Sequence, residues 1–217
     1  MRNLLRFRFL CAALAAAAPV TLLAAHAGQE GAAPVQADAP QYVGADKCKP
    51  CHNKAEAGAM HDKWAASLHA KAMESLASEA AKKLAAEKGI ADPLKAPECL
   101  KCHQTAHGVD AKLVAKSFKP EQGVQCESCH GPGSLHVKAR MTAAAKGEGK
   151  GQPGPLAIPA GEQKLADEAL CKSCHNPESP SYKEFVFKDF LPKIRHLHPN
   201  RKEPRVKLPG EPAAGAN

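Results

Sequence analysis

The chain contains few of the side chains that usually fill a protein interior. Only nine of its 217 residues are Phe, Trp or Tyr, and together these make up 4% of the sequence. A domain built around an ordinary aromatic and aliphatic core is therefore not expected. Something other than apolar side chains must occupy much of the interior.

Long apolar runs are confined to the first 27 residues. Three arginines precede an apolar run from Phe9 to Ala25, and a small-x-small cleavage site ends at Ala27. The pattern predicts a secretory signal peptide over 1–27, a mature chain that begins near Gly28, and a periplasmic location without stable membrane insertion after cleavage. An uncleaved membrane anchor is the alternative, because the run approaches spanning length.

No cysteine is left over in the predicted mature chain. Cys11 lies in the signal peptide, and the other eight form four Cys-x-x-Cys pairs, each followed directly by histidine. In this motif two thiols bond to the vinyl groups of a haem and the next imidazole ligates its iron. Zinc sites and redox disulfides also use Cys-x-x-Cys pairs, but they do not require histidine after every pair.

The motifs therefore predict four covalently bound haem c groups. The attaching cysteines are Cys48, Cys51, Cys99, Cys102, Cys126, Cys129, Cys171 and Cys174, and the proximal iron ligands are His52, His103, His130 and His175.

Four haems must share about 190 residues, fewer than 50 each, which is too few for four separate domains. The haems are therefore expected to pack together and form the core of one domain over 42–198. The fold class is predicted to be mainly α, a single-domain multihaem cytochrome c with few or no strands. Composition predicts a flexible leader over 28–41, a loop over 142–164 and a disordered tail over 199–217.

Helical periodicity is clearest after the first motif. Apolar residues recur with helical spacing over 62–89, which predicts one long helix with His69 on its apolar face. A short helix from about Glu162 should deliver the fourth motif, and another helix is predicted within 182–198.

His136 follows the third motif by six residues. Such a segment spans at most about 20 Å when fully extended, and here it is bent at Gly131-Pro132-Gly133. It can hardly pass around the edge of its own haem. His136 is therefore predicted to ligate a different haem, so that this stretch ties two cofactors together.

Other histidines outside the motifs are the remaining candidates for distal ligands. By position, His69 and one of His196 and His198 are predicted to ligate iron. His61, near a helix start, and His107, only four residues after its motif, are weaker candidates. One iron would then stay five-coordinate.

Several strings carry a resemblance to a known family. They are His69–Leu76, the stretch Gly123–Gly133 around the third motif, the order of the four motifs, and the Phe-rich segment that ends at His196-x-His198. In these strings the chain resembles the tetrahaem cytochrome c-554 family of ammonia-oxidising bacteria, over most of 42–198. The resemblance implies a mainly helical fold with haems in stacked pairs.

The resemblance also implies a set of ligands. It assigns His136 to the first haem, His69 to the third and His196 to the fourth. The second haem, attached at Cys99 and Cys102, would have no protein ligand on its distal side.

Three departures from the family pattern bear on these ligands. Extra residues before Trp64 add His61, His107 follows the second motif, and the spacing from His130 to His136 is shorter.

The basic charge of the chain is modest. Net charge is +8 at pH 7, and it falls to +5 without the three arginines of the predicted signal peptide. This excess predicts no nucleic-acid partner. A lysine-rich face could steer an acidic redox partner, although solubility explains the charge equally well.

Ligation of iron by two histidines favours one-electron transfer over binding of small molecules. The expected function is thus that of an electron carrier rather than an enzyme. Electrons would hop between haems from a donor to an acceptor redox protein. The family resemblance implies a multihaem oxidoreductase as donor and a quinone-linked membrane cytochrome as acceptor. The alternatives are a small nitric oxide reductase that acts at an open second haem, and a subunit of a larger cytochrome conduit.

Overall fold

The computed structural model describes residues 39–148 and 165–200. The predicted signal peptide, most of the leader, most of the 142–164 loop and nearly all of the 199–217 tail lie outside the described residues. Gln41, the last residue of the predicted leader, is held in place: its backbone N–H donates to Ser134 Oγ (2.8 Å) and its side-chain amide donates to the Lys112 carbonyl (2.7 Å). The chain is therefore fixed at least one residue earlier than predicted.

Short helices make up the regular structure of the described residues, and the mainly α fold class predicted from the sequence is confirmed. The only β pairing among the described residues is an isolated parallel bridge between Tyr42 and Val114. Within 39–148 and 165–200, none of the helices has both the length and the apolar character needed to cross a membrane. The helices are α1 (Ala45–His52), α2 (Met60–Ala65), α3 (Ala72–Leu76), α4 (Glu79–Glu87), α5 (Pro97–His103), α6 (Cys126–His130), α7 (Ser134–Ala145), α8 (Glu168–Lys172) and α9 (Phe187–Ile194), with 3-10 turns at Ala55–Ala57, Ala111–Leu113 and Pro120–Gln122.

The single long helix predicted over 62–89 is wrong. Three short helices, α2, α3 and α4, occupy this range, and residues 66–71 form turns between the first two. In these turns the His69 carbonyl accepts a hydrogen bond from the Val124 N–H (3.0 Å), a tertiary bond that periodicity cannot reveal. His69 therefore lies in a turn, and its neighbour Leu68 is 86% exposed instead of facing a core.

α4 has the local signals of an independent helix. The Ser78 side chain caps it by accepting from the Ala81 N–H (3.2 Å). The helix ends at Glu87, two residues before Gly89, where the sequence predicted the stop.

Two other predicted boundaries also need correction. α7 continues to Ala145, past the start of the predicted loop at Thr142, because the run of alanines there keeps a high helix propensity. α8 starts at Glu168 rather than near Glu162, and residues 165–167 before it are not helical. The helix expected within 182–198 is present as α9.

The apolar interior of the described chain is small. Four of its nine buried apolar residues are alanines, and four buried polar side chains complete the interior. This interior agrees with a fold whose haems supply most of the core. The buried apolar residues are Val43, Ala45, Leu76, Ala85, Ala96, Leu100, Ala143, Phe187 and Leu191, and the buried polar ones are His61, Thr105, Gln125 and Glu127.

Candidate functional site

Each of the four Cys-x-x-Cys-His motifs lies on or at the end of a short helix. The first three end α1, α5 and α6, and the fourth begins in α8 and runs just beyond it. Side chains three residues apart share one side of a helix, so both thiols of a motif can face the same group. None of the eight motif cysteines forms a disulfide, so the geometry leaves every one of them available to bond to haem.

Three motif histidines face a histidine that is distant in sequence. The ring centres of His52 and His136 are 6.2 Å apart, with 30° between the ring planes. His69 and His175 are 6.0 Å apart, and their planes meet at 67°.

The third pair joins His130 to His196. Their ring centres lie 5.9 Å apart, with 67° between the planes. His196 is oriented by a contact between its Nδ1 and the Ile194 carbonyl (3.1 Å). Gly58 packs against the backbone carbonyl of Leu197, at a place that no larger residue could occupy, and so fixes the chain next to His196.

These separations fit an iron atom held between two imidazoles. Metal–imidazole bonds are about 2.0 to 2.1 Å long. Two such bonds in line, with each ring centre about 1.1 Å beyond its nitrogen, put the ring centres about 6.3 Å apart. The residues present therefore fit axial ligation of three haem irons.

The pairing differs from the one that the resemblance implied. His69 faces His175 of the fourth motif rather than the third, and His196 faces His130 of the third motif rather than the fourth. Only His136 lies beside the motif that was expected, the first. The order of residues along the chain does not determine which histidines face each other. The positions of α8, which precedes His175, and of the segment after α9, which carries His196, determine it.

His103, in the second motif, has different surroundings. Its Nδ1 lies 2.8 Å from the Ala72 carbonyl and 3.3 Å from Ser75 Oγ. In the part of the chain that the structure describes, no second imidazole faces it. An Nδ1–H bond to a backbone carbonyl leaves Nε2 directed away, free to ligate a metal.

Burial keeps several of these imidazoles neutral. It lowers the pKa of His52, with smaller effects from His136 and His196. Burial, followed by the neighbouring His175, lowers the pKa of His69, and burial lowers that of His175 itself. A neutral ring is the form that donates a nitrogen lone pair to a metal.

The cysteines show which motifs are neighbours. Contact with the Cys126 thiol, and then burial, raises the pKa of Cys48, so the first and third motifs are adjacent. Burial raises the pKa of Cys102 to about 11, and the nearby Cys174 thiol adds to the effect, so the second and fourth motifs are adjacent. Burial also raises the pKa of Cys129 to about 11, with Cys171 close by, which links the third and fourth.

Phe185 and Phe190 fix the fourth motif. The ring of Phe185 stacks on His175 at 4.7 Å, and Phe190 stacks on Phe185 at 5.2 Å. The ammonium of Lys193 lies 4.4 Å from the centre of the Phe190 ring. Phe185 and Phe190 therefore orient a motif histidine, whereas Phe187 of the same segment is buried among apolar residues.

A buried polar cluster joins the third motif to the first, and the sequence analysis did not detect it. Glu127, between the two cysteines of the third motif, is 3% exposed and accepts from the backbone N–H groups of Val43 (2.8 Å), Gly44 (2.8 Å) and Gly133 (2.7 Å). Acidic residues are usually exposed, so nothing in the local sequence signalled this burial.

Gln125 and Thr105 extend the same cluster. The Gln125 side-chain oxygen accepts from the Ala45 N–H (2.8 Å), and its amide group donates to the Lys119 carbonyl (2.8 Å). Thr105 Oγ1 donates to the Gly123 carbonyl (3.0 Å) and accepts from the Gln125 N–H (2.7 Å). Together these bonds fix the start of α1 against the segment that leads into α6.

His61 is buried, and both of its ring nitrogens are covered by protein atoms without a hydrogen-bond partner. Its ring packs edge-on against Trp64, with centres 5.3 Å apart. A distal ligand needs one nitrogen open to an iron about 2 Å away. His61 therefore fits a core residue better than a ligand.

The other two candidates face no motif histidine within 39–148 and 165–200. His198 Nδ1 accepts from the Asn200 N–H (3.2 Å), and His107 is half-buried in the turns after α5. Of the two late histidines, His196 is thus the one beside a motif. In the same ranges no three His, Cys, Asp or Glu side chains gather as ligands of a single metal ion, so the arrangement of a zinc ribbon is not found there.

Comparison with known proteins identifies the family of the chain. A family profile described as Cytochrome c554 and c-prime matches residues 47–131. The chain is 30% identical over 211 residues to cytochrome c-554 of Nitrosomonas europaea, and the alignment covers 83% of this chain and 87% of that protein. No solved structure matches the chain. The chain therefore belongs to the cytochrome c-554 family and is an electron-transfer cytochrome with covalently attached c-type haem and redox protein partners.

Proposed function

We propose that this chain is a periplasmic tetrahaem c-type cytochrome that moves electrons between redox proteins by haem-to-haem hopping. The carrying observation is the set of three facing pairs, His52 with His136, His69 with His175, and His130 with His196. Each pair can occupy both axial positions of one iron, which leaves no position for a substrate. When bound, haem supplies an iron couple that takes up and releases one electron.

The motif neighbours support a linear route for electrons. Cys48 lies against Cys126, Cys129 lies near Cys171, and Cys102 lies near Cys174. The attachment sites are therefore ordered first, third, fourth, second. We infer that one partner docks at the first motif and the other at the second, with a multihaem oxidoreductase as donor and a quinone-linked membrane cytochrome as acceptor.

Mass spectrometry and electron paramagnetic resonance (EPR) test this proposal together. The exported protein should carry four haem adducts, with at least three low-spin irons when oxidised. His69→Ala should keep all four adducts and convert one low-spin iron to high-spin, because an axial position loses its imidazole. His107→Ala, a change at a half-buried histidine that faces no motif histidine among the described residues, should leave the spectrum unchanged. An unaltered spectrum of His69→Ala would show that His69 is not a ligand.

The environment of His103 favours a second candidate function. Its Nδ1 is bonded to the Ala72 carbonyl, and no imidazole faces it in the described part of the chain. A haem ligated by His103 alone would be open to a diatomic ligand, as a nitric oxide reductase requires. The oxidised protein should then show one five-coordinate high-spin iron, and the reduced protein should consume nitric oxide. Four low-spin irons that do not react with nitric oxide would exclude this activity and leave electron transfer alone.

A further inference from the structure

Glu127 has the surroundings of a fixed buried anion. It is 3% exposed, and its two carboxylate oxygens receive three backbone N–H groups at 2.7 to 2.8 Å. Such short bonds to an ionised acceptor are stronger than bonds between neutral groups. All three donors to it among the described residues are backbone N–H groups, so the carboxylate has the acceptor role that its ionised form provides.

The three donors lie directly before the two helices that carry the proposed iron ligands of the first haem, His52 and His136. Val43 and Gly44 immediately precede α1, which ends with His52. Gly133 immediately precedes α7, which carries His136. One side chain of the third motif therefore fixes the starts of both the proximal and the distal element of a different haem.

A neutral side chain already performs the mechanical part of this task. The Gln125 side chain accepts from the Ala45 N–H at the start of α1 and is fully buried. A charge at Glu127 is therefore not needed merely to tie the segments together. A charge in the low-dielectric interior also acts more strongly on nearby groups than a charge in water does.

The charge of Glu127 acts on both haem attachment sites next to it. The pKa of Cys48 is raised chiefly by contact with Cys126 and by burial, and the Glu127 charge adds to this rise. The pKa of Cys126 is lowered, chiefly by contact with Cys48, and the Glu127 charge opposes that lowering. The same charge adds to the effect of burial in raising the pKa of Tyr42. A fixed negative charge at this place stabilises a ferric iron more than a ferrous one.

We propose that Glu127 is a positioning residue for the first haem, which sets the geometry of the His52/His136 pair and lowers the reduction potential of that haem. The inference rests on the proposed ligation of the first haem by His52 and His136.

Glu127→Gln tests the proposal because it keeps the shape and removes the charge. The amide NH₂ would face backbone N–H donors, so at least one of the three bonds is lost. All four haem adducts should remain. In an EPR-monitored redox titration, the low-spin component that His136→Ala abolishes should move to higher potential and change its g values, while the components of the haems outside the first and third motifs stay in place. Glu121→Gln, which removes an exposed carboxylate from the same segment, should leave every component unchanged.

Gly133→Ala provides a second, independent variant. Its φ of −91° accepts alanine, and the added Cβ would lie 3.1 Å from Glu127 Oε1, so it presses on the carboxylate without removing it. The same EPR component should change, by a smaller amount. If the Glu127→Gln protein does not accumulate as a folded holoprotein, Gly133→Ala is the variant that tests the positioning role of Glu127.

Two distinct failures can be recognised. A first-haem component that keeps its wild-type potential and g values in Glu127→Gln, or in Gly133→Ala where that variant decides, overturns the positioning role while leaving the ligation intact. If His136→Ala abolishes no low-spin component, the ligation of the first haem itself is wrong.

Discussion

Two donors share one acceptor beside His103. The Ala72 carbonyl receives the Ser75 hydroxyl (2.6 Å) and also lies 2.8 Å from His103 Nδ1. Hydrogen bonds to the outer nitrogen of a ligating histidine raise its strength as a metal ligand. The Ser75 hydroxyl therefore weakens the hydrogen bond from His103 Nδ1–H to the Ala72 carbonyl. A weaker hydrogen bond there makes His103 a weaker ligand of the iron.

Ser75→Ala should release this competition. The His103 Nδ1–H would then have the Ala72 carbonyl to itself, and the iron–histidine stretching frequency of the reduced second haem should rise. Resonance Raman spectroscopy of the reduced protein measures this band. Ser181→Ala, which removes an exposed hydroxyl that contacts Ser179 instead of an imidazole, is the matched control. A band that stays in place or moves down in Ser75→Ala would contradict the argument.

At the level of elements, the turn before α6 determines where His69 lies. Gly123 has a φ of +71°, and a Cβ there would lie 2.8 Å from the His69 carbonyl and 3.2 Å from the Ala72 nitrogen. The next residue, Val124, donates its N–H to the His69 carbonyl. Glycine is required here for two separate reasons, the backbone conformation and the close approach of the α2–α3 connection.

Gly123→Ala should therefore affect both stability and iron ligation. The backbone strain and the clash together should lower the free energy of unfolding by roughly 2 kcal/mol or more, and displacement of His69 should make one low-spin haem partly high-spin. Denaturant titration and EPR of the oxidised protein measure the two effects.

Gly89→Ala is the control that introduces backbone strain without a steric clash. Gly89 has nearly the same φ, +69°, but no atom lies within 4 Å of the place its Cβ would take. Its replacement should cost about 1 to 2 kcal/mol and leave all iron spin states unchanged. Equal spectral changes in both variants would show that the turn does not position His69.

At the scale of the whole molecule, the haems must provide what the side chains do not. The nine buried apolar residues of the described chain include four alanines, and the large ones are Leu76, Leu100, Phe187 and Leu191. A small interior of this kind cannot offset the conformational entropy that folding removes from the chain.

Replacement of all eight motif cysteines by serine should consequently prevent folding. Without covalent haem, far-ultraviolet circular dichroism should show loss of most of the helical signal, and no cooperative unfolding transition should remain. Cys11→Ser, which changes a cysteine outside the motifs, should keep four haem adducts and the full helical signal. A variant without haem that unfolds cooperatively would contradict the proposed core.

Patterns contained in a few adjacent residues were predictable. Each haem motif is contiguous, and its chemistry depends on five residues, so the attachment sites follow directly from the sequence. The mainly helical fold and the family also followed. The helix over 62–89 did not, because the Val124 N–H that bonds to the His69 carbonyl comes from a residue far along the chain.

The sequence by itself determined how many Cys-x-x-Cys-His motifs exist and where they lie, because these features need no contact between distant segments. Only the tertiary structure decided which distant histidine faces which motif. His69 faces the fourth motif and His196 the third, the reverse of what the resemblance implied. The tertiary structure also placed the carboxylate of Glu127 in the interior. Both outcomes depend on packing between segments that lie far apart in sequence, such as Gly58 against Leu197 and Glu127 against Val43, and the periodicity of the sequence gives no sign of such packing.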